Sequence, residues 1–207
     1  MDIHAPHGAV RTMKEFGTHI LIVTIGILIA LGLEGARETM HEKHLVRESR
    51  ESFREEITEN RSKLVLELKN LEETRGAIDQ ALKQLSAAKP QTDQFQSVAA
   101  IKPSFYIFRS TAWQTALSTG ALAHMNTAEV AKYAESSQAT VSYTSYEEQA
   151  LLVYFDVKAI GSGGKLSLQN QDELASRLRV FNQHEVILHH LAEQLLASYD
   201  AALAVTQ

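Results

Sequence analysis

No cysteine occurs in this chain, which excludes disulfide staples and every reaction that runs through a thiolate. Proline is nearly absent, with three in 207 residues, and glycine is held to ten. So few breakers argue against a strand-and-turn fold and for long helices. Neither sign of charge dominates. Twenty Lys and Arg stand against 25 Asp and Glu, a net charge of −5, so nothing resembles the basic surface that nucleic acid requires. Catalytic signatures are missing as well: there is no GxSxG elbow. Gly161–Lys165 (GSGGK) falls short of a phosphate loop, because Leu166 follows the lysine and Ala159 stands where the first glycine belongs. That segment reads as a flexible turn.

What the chain does have is one long apolar run, Phe16 to Leu33, FGTHILIVTIGILIALGL. Eleven of its eighteen residues are Leu, Ile, Val or Phe, and it contains no charge and no proline. As a helix it measures about 27 Å, close to the ~30 Å hydrocarbon thickness of a bilayer. The eleven large side chains favour insertion by about 3 to 7 kcal/mol in sum, against His19, two threonines and three glycines. Two other readings compete. A core helix this apolar would be expected inside a larger domain, whereas here only fifteen residues precede it. A cleaved signal peptide has Arg11 and Lys14 as its n-region and Ala30-Leu31-Gly32 as its small-x-small site. The residues after Gly32 carry on in helix formers, where a peptidase prefers extended chain. The run is therefore read as a transmembrane anchor over 16–34, following a short tail over 1–15.

Beyond Glu34 the chain turns abruptly polar, with eight acids and seven bases up to Lys63. Arg47–Glu51, Glu59–Lys63 and Lys63–Glu67 are spaced i,i+4, each such pair adding about 0.2–0.5 kcal/mol to a helix. From Ile57 a heptad seam appears as Ile57, Leu64, Leu71, Ile78 and Leu85. Leu68 and Leu82 alternate with Arg61 and Arg75 in the partner positions. The arginines argue against a strict two-stranded coiled coil and for packing on the protein's own later helices. Lys89-Pro90 ends this element.

Residues 90–110 are irregular. Ser110-Thr111-Ala112-Trp113 then reads as an N-cap and a short helix that stops near Gly120. Asn126-Thr127-Ala128-Glu129 resembles a capping box. From it Val130, Tyr133, Ser137, Val141, Thr144, Glu148, Leu151 and Phe155 step at helical spacing. The last helix places Leu174, Leu178, Phe181, Leu188, Leu191, Leu195, Tyr199 and Leu203 on one face. The expected fold is all-α: the anchor runs into an antiparallel helical bundle over 35–207, with helices over about 35–88, 111–119, 127–159 and 170–204.

MDIHAPHG, HILIVTIGILIALGLEG and RETMHEKHLVRESRESFREEI together resemble a family of uncharacterised bacterial proteins with one N-terminal transmembrane helix and a helical domain. The element Ala112 to Leu122, AWQTALSTGAL, is similar to a Trp-to-Gly stretch in such proteins. The resemblance covers about a third of the chain. It implies location in the bacterial inner membrane and a helical fold, and it transfers no activity and no site residues. Orientation follows from the bases. Arg37, Lys43, Arg47 and Arg50 after the anchor outnumber Arg11 and Lys14 before it, which on a bare count puts the domain inside. Those later bases are interleaved with acids, and the resemblance implies an inside N-terminus, so the expected domain is extracytoplasmic.

Nine histidines are the compositional oddity. His41 and His44 share a helix face with Glu38 and Glu48, and His189 and His190 lie near Glu185 and Glu193. Such spacing can hold a divalent metal, yet neither group is HExxH, and solvated or interfacial histidines account for both. No catalytic, cofactor or metal residue is assigned. Trp113 with Phe105, Tyr106 and Phe108 could line a ligand pocket, although aromatics between helices are usually core. Gly26-x-x-x-Ala30 and Gly32-x-x-x-Ala36 would allow close helix approach within the anchor. The function expected is a membrane-anchored interaction, scaffold or accessory module without catalysis. Its expected partners are the lipid bilayer and another protein or a second copy through the seam. The alternative is a tethered sensor for a small ligand, metal or proton.

Overall fold

A computed structural model describes residues 13–87, 98–161 and 167–205. Among the described residues its helices include α1 (Met13–Ala87), α2 (Thr111–Ser118), α3 (Thr127–Gly161) and α4 (Leu168–Val205), with a 3-10 turn at Ala121–His124. The fold is all-α. By its contacts the chain divides into two compact units, Met1–Leu45 and Val46–Gln207.

In the first unit the described residues are helical, and all eleven large apolar side chains between Phe16 and Leu33 are exposed. The polar residues within this stretch turn back on their own helix. The Thr18 hydroxyl donates to the Lys14 carbonyl at 3.0 Å and the Thr24 hydroxyl to the Ile20 carbonyl at 2.8 Å. His19 Nδ1 lies 3.1 Å from the Glu15 carbonyl. Among the described residues, one helix is long and apolar enough to cross a membrane, and none of its apolar window is buried.

The second unit is a bundle. The heptad seam is its spine: Ile57, Leu64, Leu71, Ile78 and Leu85 are all buried. Each fully buried Leu or Ile here contributes about 2 kcal/mol. The second stripe differs from expectation. Asn60, Glu67, Thr74 and Ala81 are buried, whereas Arg61, Leu68, Arg75 and Leu82 are only half-buried. On α3 the buried stripe is Tyr133, Ser136, Thr140, Tyr143, Glu147, Ala150 and Val157. Of the expected face, Val141 and Phe155 are instead exposed at 53% and 56%. The reading by apolar residues failed because this core is partly polar, so its faces are not where the hydrophobics are densest.

Directions follow from the contacts. Arg50 meets Glu129, and Ile78 and Leu85 share a cluster with Val157, so α1 and α3 run the same way. Thr140 meets Tyr199, and Val157 packs with Leu174 and Leu178, so α4 runs antiparallel to both. Between residues 101 and 111 the chain runs back along α1 as an extended strap. Ile101 lies in the same cluster as Ile78, and Thr111 reaches Glu56, which lies 22 residues back along α1 from Ile78. That is about 33 Å of helix, and ten residues of extended chain span about the same length. Side chains of α1 pin this strap: Asn70 Nδ2 to the Ser104 carbonyl at 3.3 Å, Lys63 Nζ to Ile107 at 2.9 Å, and Asn60 Nδ2 to Arg109 at 2.6 Å. The Arg109 amide returns a bond to Asn60 Oδ1 at 2.9 Å. Helices α3 and α4 make the closest backbone packing, through Ser136, Thr140, Ala150, Ala192, Ser198 and Ala202.

Candidate functional site

Among the described residues, five glutamates are buried in the bundle: Glu56, Glu67, Glu129, Glu147 and Glu185. Two have clear structural employment. Glu56 Oε2 accepts from the Thr111 amide (2.8 Å), the Thr111 hydroxyl (2.9 Å) and the Ala112 amide (3.1 Å). It caps α2 from another helix. The expected cap, Ser110, makes no side-chain capping bond, because a carboxylate fully occupied by three donors satisfies the helix start better than a hydroxyl. Glu129 is held by Arg50 and by the Tyr133 hydroxyl at 3.3 Å. The expected capping box is therefore half present. Asn126 Oδ1 accepts from the Ala128 amide at 2.8 Å, but the fourth residue of the box is drawn into an ion pair.

The other three differ. Glu67 comes from α1, Glu147 from α3 and Glu185 from α4, and the three are electrostatically coupled within the core. Glu67 Oε2, Glu147 Oε1 and Glu185 Oε2 are buried without a hydrogen-bond partner. So is the Tyr143 hydroxyl, on a side chain only 1% exposed, and so is Arg75 Nε. Burial pushes the Glu67 carboxyl up to about 8, and the charges of Glu147 and Glu185 push the same way. Burial raises Glu147 to about 7, against the Tyr106 backbone N–H, which stabilises the carboxylate, and with help from Glu148. Burial raises Glu185 to about 7; Arg75 opposes the shift and Glu147 adds to it. Burial, followed by the three carboxyls, keeps the Tyr143 phenol protonated far beyond its usual range. Tyr199 is raised to about 12 by burial, against hydrogen bonds from Thr140 and Asn60. Three acids thus share one buried layer, and the Arg75 guanidinium lies by Glu185. A carboxyl in that setting holds its proton near neutral pH and can donate it to a neighbour.

The histidine groups separate. His41 and His44 are exposed. His189 is half-buried, 3.7 Å from Glu72 and 3.9 Å from Glu193, while His190 lies 3.0 Å from Gln194. Glu185, grouped with them by spacing, turns into the core instead. No group of three or more His, Cys, Asp or Glu among the described residues is placed to hold a metal ion. The aromatics divide too. Trp113 tilts on Phe53 with centroids 6.4 Å apart, Phe108 packs edge-on to Tyr143 at 5.4 Å, and Phe105 is exposed. Beyond Gly161, the glycine-rich turn and Lys165 lie outside the described residues, as do the tail over 1–12 and Lys89-Pro90.

Comparison with protein-family models, with curated proteins and with solved structures gives no match. The carboxyl layer was missed in the sequence for a specific reason. Glu67 looked like the partner of Lys63, but Lys63 binds Glu59 at 2.7 Å and Glu67 points inward. One signal was available. Glu67 keeps the seven-residue step of Asn60, Thr74 and Ala81, and Glu185 occupies the seam between Phe181 and Leu188.

Proposed function

We propose that this protein is a single-pass membrane protein whose helical bundle serves as a non-catalytic interaction or accessory module at the bilayer. One observation carries the anchor: residues 16–33 present apolar side chains on every side and bury none of them. An uncovered helix of this kind is stable in lipid and a liability in water. The internal bonding of Thr18, Thr24 and His19 lowers the cost of placing them in hydrocarbon. The resemblance favours the bacterial inner membrane with the bundle on the extracytoplasmic side. Its partner is another membrane protein or a second copy of this chain.

A second reading, a tethered sensor, is favoured by the unpartnered Glu67, Glu147 and Glu185 carboxyls. A structural core seldom retains polar atoms without partners unless they bind something or change state.

Fractionation of cells expressing the full chain tests the anchor. Recovery in the membrane pellet after carbonate wash is expected, and replacing Ile25 and Leu28 with lysine should release the chain to the soluble fraction. Crosslinking in native membranes followed by detergent pull-down tests the interaction role. Soluble wild-type protein, or a mature form that starts after Gly32, would sink the reading.

A further inference from the structure

The partnering of the buried polar groups divides the bundle into two kinds of layer. Near Arg50 and near Thr111 every buried carboxylate has its donors. In the layer of Glu67, none of the three carboxyls is fully satisfied, and the Tyr143 hydroxyl, which is coupled to all three, donates to no one. Leaving three such oxygens ionised in a closed core costs far more than the usual unmatched group. Metal does not resolve the deficit, since the described carboxylates are not placed to share an ion. Protons do. Each carboxyl that takes up a proton loses its charge and gains the O–H donor the layer lacks, while Arg75 offsets charge at Glu185.

We infer that Glu67, Glu147 and Glu185, buried beside Tyr143 with oxygens that lack partners, form a shared proton-binding site that couples the packing of α1 on the α3–α4 pair to ambient pH. This deepens the sensor reading and names its ligand. Every packed element contributes to the surroundings. Helix α1 supplies Glu67 and Arg75; α3 supplies Tyr143, Glu147 and, at its edge, Glu148; α4 supplies Glu185 and Tyr199; the strap supplies the Tyr106 amide. His184, adjacent to Glu185, turns to the Tyr146 ring at 5.3 Å, and His189 faces Glu72 and Glu193, so neither neutralises the layer. The weak seam is predictable. Helices α3 and α4 pack closely on one another, and Glu67 is the carboxyl that α1 brings against them. As the protons leave, repulsion acts on α1.

The test uses the full chain in detergent micelles with carbon-13 at the glutamate carboxyls, titrated by NMR from pH 4 to 9. Three resonances are expected to titrate at or above neutral pH, separate from the exposed glutamates. Glu67→Gln should remove one and move the other two to lower pH, whereas Glu72→Gln should leave all three in place. Hydrogen exchange gives an independent readout. Protection of α1 amides between 60 and 78 should fall more than tenfold from pH 6 to pH 8 beyond the intrinsic change, and less than twofold in Glu67→Gln. Titration of every carboxyl below about pH 5.5, or equal loss of protection in wild type and variant, would overturn the proton site. Neither result touches membrane anchoring, which fractionation reads separately.

Discussion

Arg50 grips Glu129 across 79 residues of sequence, with Nε 2.6 Å from Oε1 and Nη2 2.7 Å from Oε2. The carboxylate is buried and the guanidinium is nearly half exposed. The planar fork matches both oxygens at once, and it raises the guanidinium's own pKa through that bonding. The pair clamps the beginning of α3 to α1, beside the stacked rings of Phe53 and Tyr133, 4.0 Å apart.

Removing Arg50 strips a buried carboxylate of its two shortest bonds and leaves the longer one from the Tyr133 hydroxyl. Arg50→Ala should therefore destabilise the bundle by about 2–4 kcal/mol, while Arg50→Lys recovers only part of the loss. Denaturant titration at pH 7 reads both, and a double-mutant cycle with Glu129→Gln isolates the pair.

Asn60 donates to and accepts from the Arg109 backbone, so one side chain replaces two ladder-type bonds for the strap. Asn60→Ala should cost about 2–3 kcal/mol by stranding both backbone groups. Amide exchange should quicken over residues 101–110 before anywhere else in the bundle; uniform quickening would contradict the strap's dependence on Asn60.

Gly161 closes α3 against Val98. A Cβ built there would sit 2.9 Å from Val98 Cγ1, too close for either side to keep its place. Gly161→Ala should lower stability by about 1–2 kcal/mol despite its better helix propensity. Val98→Ala in the same chain should restore part of the loss, which a simple propensity effect would not allow.

Stability should fall as pH rises through neutrality. Glu67, Glu147 and Glu185 hold their protons in the fold to about 8, 7 and 7, against 4.5 in ordinary chain. Between pH 4.5 and 8 the folded state therefore binds more protons than the unfolded one. Their favourable contribution is complete below 4.5 and is lost as pH climbs to 8, by at most about 1.4 kcal/mol per pH unit for each carboxyl that still holds its proton. Glu59 acts oppositely: hydrogen bonds from Lys63 and Arg109 lower its carboxyl, so its contribution fades as pH falls. Melting temperatures should peak near pH 4.5 to 5 and decline to pH 8, and Glu67→Gln should flatten the decline. A rise between pH 6 and 8 would rule this out.

Several elements were legible because they depend on near neighbours in the chain. The seam from Ile57 to Leu85 is buried as its heptads require, and Gly120 sits at φ 77°, the left-handed stop its position demands. The α4 stripe of Leu174, Leu178, Phe181, Leu188 and Leu195 is equally plain. The face of α3 was not. Tyr133, Ser136, Thr140, Tyr143 and Glu147 bury a mixed stripe that no count of apolar residues selects. The caps were legible only in part: Asn126 bonds the Ala128 amide as expected, whereas Glu56 takes the place of Ser110 and Arg50 draws Glu129 away, both residues far off in sequence.

The amino-acid order alone determined an all-α chain with one bare apolar stretch, because helix periodicity and the absence of breakers act over a few residues. Only the tertiary structure decided which polar groups went inside. Glu67, Glu147 and Glu185 lie at least 38 residues from one another along the chain. Their shared layer exists because the strap returns α3 alongside α1 and α4 closes against both. No local pattern encodes that meeting, since the electrostatic coupling arises from distance in space rather than spacing in sequence.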